Sequence, residues 1–473
     1  MKKLKLFVEN FFVYGIGGMI SKIIPLIMVP IIIRMMPDSG YYGINDLSNT
    51  VVSFCSSIAV MGMYDAMYRM FFEYDDKKYK KTVCSTAFIF TICISIIVFI
   101  LMILFKDIIA QCFFNDKKYV YVVYLSAMAT LVGATNSIIS APVRMRNKRK
   151  IYLLTNSLAP VLSYSISIPL LMAGYYTTAL PLATLISGFL MEISFFWISK
   201  EWFDFKYFDR KILKQLLTIA IPLLPNFLIY WLFNSCDRVM ITGMLGVGAV
   251  GIYSVGSKLG HCSQLIYTAF AGGWQFFALT TMKEKEQVKT NSVIFEYLGM
   301  ISFIITTFVC AWSYEIFRIL FTEEYFDGYI IAPYLFLAPL LQMLYQVIGN
   351  QFLVIKKTWP SSIILTSGAM VNVIVNYFTI PILGIEGAAI ATLLGYVVSD
   401  IICVMVLIKM KLMILNARFI TATFVMIGYF VVWRQFFSNN AVISTLIAVA
   451  VSGIFVFLYR KDVKKFLAAI KKR

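Results

Sequence analysis

NSCDRVMITGMLGVGAVGIYSVGSKLG, residues 234–260, sets an Asp-Arg pair and a lysine on either side of a glycine-broken turn in otherwise uninterrupted apolar sequence. Inside a hydrocarbon layer each such charge costs roughly 2.5–3.5 kcal/mol, so Asp237, Arg238 and Lys258 must pair, reach the interface, or line a polar path. The surrounding chain makes that constraint real. Apolar residues are 60% of the 473 and charged residues 14%, against about one half and one quarter in soluble domains.

Working outward, apolar runs of about 20 residues recur from end to end, each long enough to cross a core of roughly 30 Å as a helix. They lie near 11–36, 44–65, 83–105, 119–141, 151–173, 177–199, 215–238, 249–279, 291–314, 331–354, 360–381, 387–408, 419–437 and 441–459. The sequence therefore predicts an all-α integral membrane protein of about 14 transmembrane helices. MKKLK at the start precedes an apolar run that contains Lys22 and has no small-residue cleavage site, so it reads as the first span.

Lysine and arginine set the orientation. The even-numbered gaps and the two tails hold 33 of the 42, and the opposite loops hold 5. Both termini are expected on the cytoplasmic side, since basic loops stay inside. The net charge of +18 is thus spent on topology; no aromatic-basic motif indicates a nucleic-acid partner.

Other classes find no support. The eight cysteines form no CxxC pair and His261 is the single histidine, so neither a disulfide framework nor a metal site is indicated. No GxxxxGK[ST] loop points to ATP. The opposite loops are short, the longest near 315–330 with Glu315, Glu323, Glu324 and Asp327, and the first offers only Asp38. A membrane transferase or ligase would present catalytic acids there, so the chain reads as no enzyme and as needing no cofactor.

Shifting the chain on itself by 208 residues lays Gly43-Ile44 on Gly251-Ile252, Ala183-Thr184-Leu185 on Ala391-Thr392-Leu393, and Glu192 on Asp400. Spans 1–6 and 7–12 then form two parallel six-helix repeats related by a pseudo-two-fold axis along the membrane normal, around a central cavity. The expected divisions are 1–209, 210–410, and 411–473 with two further helices and a basic tail. Those last helices read as peripheral packing or as a lipid groove.

The intramembrane charges are the candidate site. Lys22 lies about 16 Å along span 1, near the midplane, with Pro25 and Pro30 after it to kink the helix. Arg34, at that span's outer end, is either a snorkelling anchor or a cavity cation. Either a mutual or interfacial ion pair or a cavity role accommodates Asp237 and Arg238. Lys258, about nine residues into span 8, favours a cavity role, while His261 reads as a packing residue on the same face. Asp65 and Arg69 are spaced i,i+4 for an ion pair of about 0.3–0.5 kcal/mol, yet Arg69 also stands at the mouth an anionic headgroup would enter. Glu192 and Asp400, at equivalent depths, are either coupling-ion or proton sites or partners of neighbouring cations. Tyr41, Tyr42, Trp202, Tyr207, Trp312, Tyr314 and Trp359 sit near span ends as an interface belt.

Several stretches together resemble a known family: FVYGIGGMISKIIPLIMVPIIIRMMPDSGYYGINDL, MGMYDAMYRMFFEYDD, DRVMITGMLGVGAVGIYSVGSKLG, GGWQFF, and NYFTIPILGIEGAAIATLLGYVVSD. In order and spacing they look like the polysaccharide flippases, the O-antigen and capsule repeat-unit exporters of the superfamily that also holds multidrug extruders and the lipid II flippase. The resemblance implies a two-lobed, mostly fourteen-span fold that moves a polyprenyl-pyrophosphate-linked oligosaccharide to the outer leaflet, serving a polysaccharide polymerase. It also implies a cationic cavity for the pyrophosphate, carried by Lys22, Arg34, Arg69, Arg238 and Lys258. Asp65, Glu192, Asp237 and Asp400 are the acids available for coupling or charge balance. A lipid II-type flippase or a small-solute extruder of the same superfamily remains the alternative; an extruder of cations would favour a carboxylate-lined pocket.

Overall fold

The computed structural model describes residues 23–462 apart from 282, 283, 285, 356 and 358, so Lys22 lies outside the described residues. These are helices joined by short turns, with no strand among the described residues. Eleven helical segments are long and apolar enough to span a membrane, and a bent pair makes twelve. The other two expected spans are 11–36, of which α1 (Ile23–Arg34) is described, and 249–279, which is two helices.

Helix α2 (Ser39–Val60) starts where Asp38 accepts from the Gly40 N–H at 2.8 Å, satisfying a donor the first turn leaves free. It ends at Met61 and Gly62, both left-handed at φ 49° and 72°. The chain then turns by 47° into α3 (Met63–Phe71). Span 2 is thus bent, and longer than the run ending near residue 65. Helices α4 (Lys77–Leu104), α5 (Lys106–Phe114), α6 (Val120–Met145), α7 (Arg149–Met172) and α8 (Ala179–Ser199) follow. Trp202 corrects the interface-belt expectation: it is buried, ring to ring with Phe71 and under the Arg146 guanidinium. The turn after α8 folds back on α4, with Ser85 Oγ bonded to the Trp202 carbonyl and the Asp204 N–H.

Next come α9 (Arg210–Ala220) and α10 (Leu224–Leu245), in a 36-residue apolar segment interrupted by Pro222 and Pro225. The chain divides into two compact units at Ser254 and Val255, inside α11 (Val247–Gly260). The division falls after α9 and α10 because these helices pack on α2, α3, α4 and α5. The core of this first unit joins Met67, Phe71, Val83, Ile138 and Phe195 to Leu216 and Ala220 of α9.

The expected span 8 is interrupted at His261 and Cys262. There the bonds Cys262 N to Leu259 O and Gln264 N to His261 O tighten to three-residue steps, and α12 (Ser263–Thr280) begins.

In the second unit α14 (Gly328–Val354) is the most enclosed segment, 89% buried. It packs on α12, α13 (Gln287–Leu320) and α16 (Ile385–Lys409); α15 (Trp359–Leu383) packs on α16. The turn from α13 to α14 is shorter than the expected loop near 315–330, because α13 runs on through Glu315 and Arg318. Helices α17 (Ala417–Val432) and α18 (Ala441–Leu458) are fastened at both ends. At one end Glu296, fully buried on α13, accepts from Asn416 N, Arg418 Nε at 3.0 Å and Tyr459 OH, while Arg418 also pairs with Asp462. At the other, Arg434 Nε donates to Glu386 at 2.7 Å from a π-type turn, Trp433–Phe437.

Candidate functional site

Helices α2, α10 and α11 meet around one guanidinium. Helix α10 continues seven residues past Arg238, so Asp237 and Arg238 lie about 10 Å from its end and not at the end expected from the sequence. Two turns of helix separate them from that end. Arg238 Nε donates to Asp46 Oδ2 at 2.5 Å, and Nη1 to Asp237 Oδ1 at 3.2 Å and to the Asn234 carbonyl at 2.6 Å. The three charged side chains are 12%, 10% and 4% exposed. Ser254 Oγ donates to Asp46 Oδ2 at 2.6 Å and Tyr253 OH donates to Asp237 Oδ2, with the Tyr253 ring 5.6 Å from the guanidinium carbon. A buried charge survives only when paired and hydrogen-bonded, and both carboxylates supply that here. Below the cluster the seam continues: Trp231 Nε1 donates to Ser53 Oγ at 3.1 Å, and its ring meets Phe54 at 4.7 Å.

The helices approach this closely because two glycines permit it. A Cβ on Gly43 would stand 2.2 Å from the Val247 carbonyl oxygen, and one on Gly251 would stand 2.0 Å from that of Ser39. The contacting positions are spaced alike: 39 and 247, 43 and 251, and 46 and 254 are each 208 apart.

Arg34 is exposed and donates to the Pro30 carbonyl at 3.0 Å in its own helix. Asp65 and Arg69 are both exposed on α3 and, among the described residues, form no ion pair with each other; the cation acting on Asp65 is Arg144, from α6. This corrects the expected i,i+4 pair. Lys258 occupies the last turn of α11, ahead of the break, where a cation complements the free carbonyls of a helix end. His261 follows at the helix end, its backbone N–H still bonded to the Ser257 carbonyl at 2.7 Å and its Nδ1 2.8 Å from the same oxygen.

Glu192 is half-buried on α8 and accepts from Thr135 Oγ1 at 2.5 Å. Asp400 is buried in α16, and its Oδ1 has no hydrogen-bond partner among the described residues. No cation pairs with either acid among the described residues.

Asp46, Tyr253 and Ser254 were not singled out from the sequence. The shift of 208 that aligns Gly43 with Gly251 also aligns Asp46 with Ser254, so the signal was present but carried by dissimilar residues. An uncharged ladder was also missed: buried Asn372 donates to Thr392 Oγ1 at 3.1 Å, and Asn376 to Asn372 Oδ1 at 3.3 Å.

The family model described as polysaccharide biosynthesis protein matches residues 31–330, which include the whole cluster. The chain belongs to the polysaccharide biosynthesis protein family. Among relatives it is 26% identical over 265 residues to an uncharacterised membrane protein of Methanocaldococcus jannaschii, spanning half of that protein's length. The family chain has the fold of the lipid II flippase MurJ in an inward closed conformation: TM-score 0.72 at 16% identity, over 97% of this chain and 99% of that one. It also matches an inward-facing multidrug transporter of the MATE family, TM-score 0.61 at 15% identity over 84% and 94%. A third match is a MOP-superfamily transporter of Pyrococcus furiosus, TM-score 0.61 at 16% identity over 86% and 95%. At these identities the likeness is one of fold. The chain is a multi-pass membrane protein whose structural neighbours are transporters and flippases, not enzymes.

Proposed function

We propose that this protein is a flippase moving polyprenyl-pyrophosphate-linked oligosaccharide repeat units from the cytoplasmic to the outer leaflet by alternating access, for surface polysaccharide assembly. The observation that carries the proposal is Arg238, buried between Asp46 and Asp237 beside the close crossing of α2 and α11. A planar guanidinium binds carboxylate and phosphate with the same forked geometry. A diphosphate headgroup can therefore take the place of these carboxylates when the seam opens, and the carboxylates take the guanidinium back when it closes.

Lys258, beside a helix break, and Arg69, exposed at the lysine-rich end, are proposed as further contacts for the headgroup, with Lys22 and Arg34 on span 1. Broken helices at membrane depth are tolerated where they line a polar space. Glu192 and Asp400, unpaired by cations, are proposed as proton or coupling-ion sites, and Asp65 as a charge-balancing acid. The 33-to-5 split of basic residues supports cytoplasmic termini in a bacterial inner membrane. The product would pass to a polysaccharide polymerase. The extensive MurJ match favours one second reading, a lipid II-type substrate, which shares the diphosphate and differs in the sugar.

The test is deletion of the gene followed by analysis of lipid-linked sugars. A diphosphate-linked oligosaccharide should accumulate on the cytoplasmic face, and its sugar composition separates the two substrates. New drug sensitivity with no accumulation would replace the flippase by an extruder. Lys258→Gln should restore little transport while the protein accumulates normally; full complementation would remove Lys258 from the headgroup path.

A further inference from the structure

The short helix α3 carries an exposed surface that its packing does not need. Met63, Ala66, Met67, Met70 and Phe71 are buried, against α4, α6 and α9. On the opposite face Tyr64, Tyr68 and Phe72 recur every four residues, the step that stacks side chains along one face of a helix. Their ring centroids are 6.1 and 5.5 Å apart, and Tyr68 and Phe72 are 38% and 58% exposed. An interface belt accounts for single Tyr or Trp residues. It does not account for three rings in file, interleaved with Asp65 and Arg69 on the same exposed face. Arg144 completes the group, donating from Nη1 to Tyr64 OH at 2.9 Å.

A pyranose ring has an apolar C–H face carrying slight positive charge and a rim of hydroxyls. An aromatic face is apolar and carries negative charge, so the two stack. Carboxylate and guanidinium groups at the edge of such a platform meet the hydroxyls in the pattern of a small-molecule site: apolar contact area with a few placed polar groups. Two guanidinium groups against one carboxylate leave the face net positive, which complements a glycan attached to a diphosphate. We propose that Tyr64, Tyr68 and Phe72 are the platform on which the first sugars of the headgroup stack, with Arg69 and Arg144 on its phosphate side and Asp65 accepting from sugar hydroxyls. The platform rests on the flippase proposal and adds to it the part of the protein that senses the glycan.

Two probes separate glycan from diphosphate in binding to the purified full-length protein: farnesyl diphosphate, and the same lipid diphosphate bearing one N-acetylglucosamine. The native protein should bind the sugar-bearing probe more tightly. Y68A combined with F72A should weaken that probe about fivefold, as expected from two lost ring contacts, and leave bare farnesyl diphosphate within about twofold. Y68F and F72Y, which keep the rings, should bind both probes as the native protein does. Equal losses for both probes would mean an interface or folding role and would overturn the platform, as would no loss for either. Native protein that binds both probes equally would overturn the platform and leave the flippase standing. Native protein that binds neither would remove both.

Discussion

Arg238 addresses its two carboxylates through different nitrogens, Nε to Asp46 and Nη1 to Asp237. A lysine offers one point of charge and cannot reproduce that fork. Arg238→Ala should cost about 3–5 kcal/mol, the range for leaving buried charges without their partner, and Arg238→Lys should recover less than half of the loss. Thermal unfolding in detergent reads both, and a native-like transition in either variant would mean the pair does not hold the seam. The charges themselves were legible in the sequence because a charged side chain inside a long apolar run cannot pass unnoticed. Their partner was not. Asp46 stands only a few residues into the expected span 44–65, where a carboxylate passes for an interfacial group, and only the contact with Arg238 shows that it is enclosed. The depth of Arg238 was misjudged for a related reason: MITGML is apolar enough to extend a helix but contains Gly243, which reads equally well as part of a turn.

At the scale of elements, the crossing of α2 and α11 depends on the absence of two side chains. Gly251→Ala places a methyl against the Ser39 backbone, which cannot swing aside as a side chain would. Overpacking of this kind costs about 1–3 kcal/mol. Gly243→Ala is the control, since its added carbon meets nothing within 4 Å and removing a helical glycine gains up to about 1 kcal/mol. The two variants should therefore shift the unfolding temperature in opposite directions; a common direction would mean that the crossing is loose. The clasp on α17 and α18 makes a second demand. Glu296→Ala removes the acceptor of four groups on three residues and leaves Arg418 with Asp462 alone, a loss on the order of 2–3 kcal/mol. Hydrogen exchange should rise in 417–458 and stay unchanged in α2; uniform protection would show that apolar packing, such as Phe419 against Phe295 and Phe303, is sufficient. Apolar periodicity located these helices, but their role was illegible because a lone glutamate or arginine near a span end looks the same whether it faces water or a partner. The break after Gly260 was hidden similarly, since no proline or charge run marks it.

For the whole molecule, class was legible because it follows from a summed quantity, the length and number of apolar runs. The point where contacts divide the chain was not, because it depends on which neighbours α9 and α10 choose. Charge movement belongs to this scale too. A headgroup with about two negative charges, carried outward across a membrane that is negative inside, gains roughly 4.6 kcal/mol per 100 mV, at 2.3 per charge. In vesicles holding the purified protein with its lysine-rich face inside, outward flipping of a fluorescent diphosphate lipid should therefore accelerate when a potassium gradient and valinomycin make the lumen negative. The acceleration should reverse in sign with the potential. Should Glu192 or Asp400 bring a cation inward on the return step, the dependence steepens, because the inward charge gains from the same field, and Asp400→Asn should bring it back to the value for the headgroup alone. A rate indifferent to potential would mean that a compensating negative charge moves inward or that a cation travels out with the headgroup. In the second case Arg238 and Lys258 would be screening a neutral complex instead of replacing the hydration of a diphosphate.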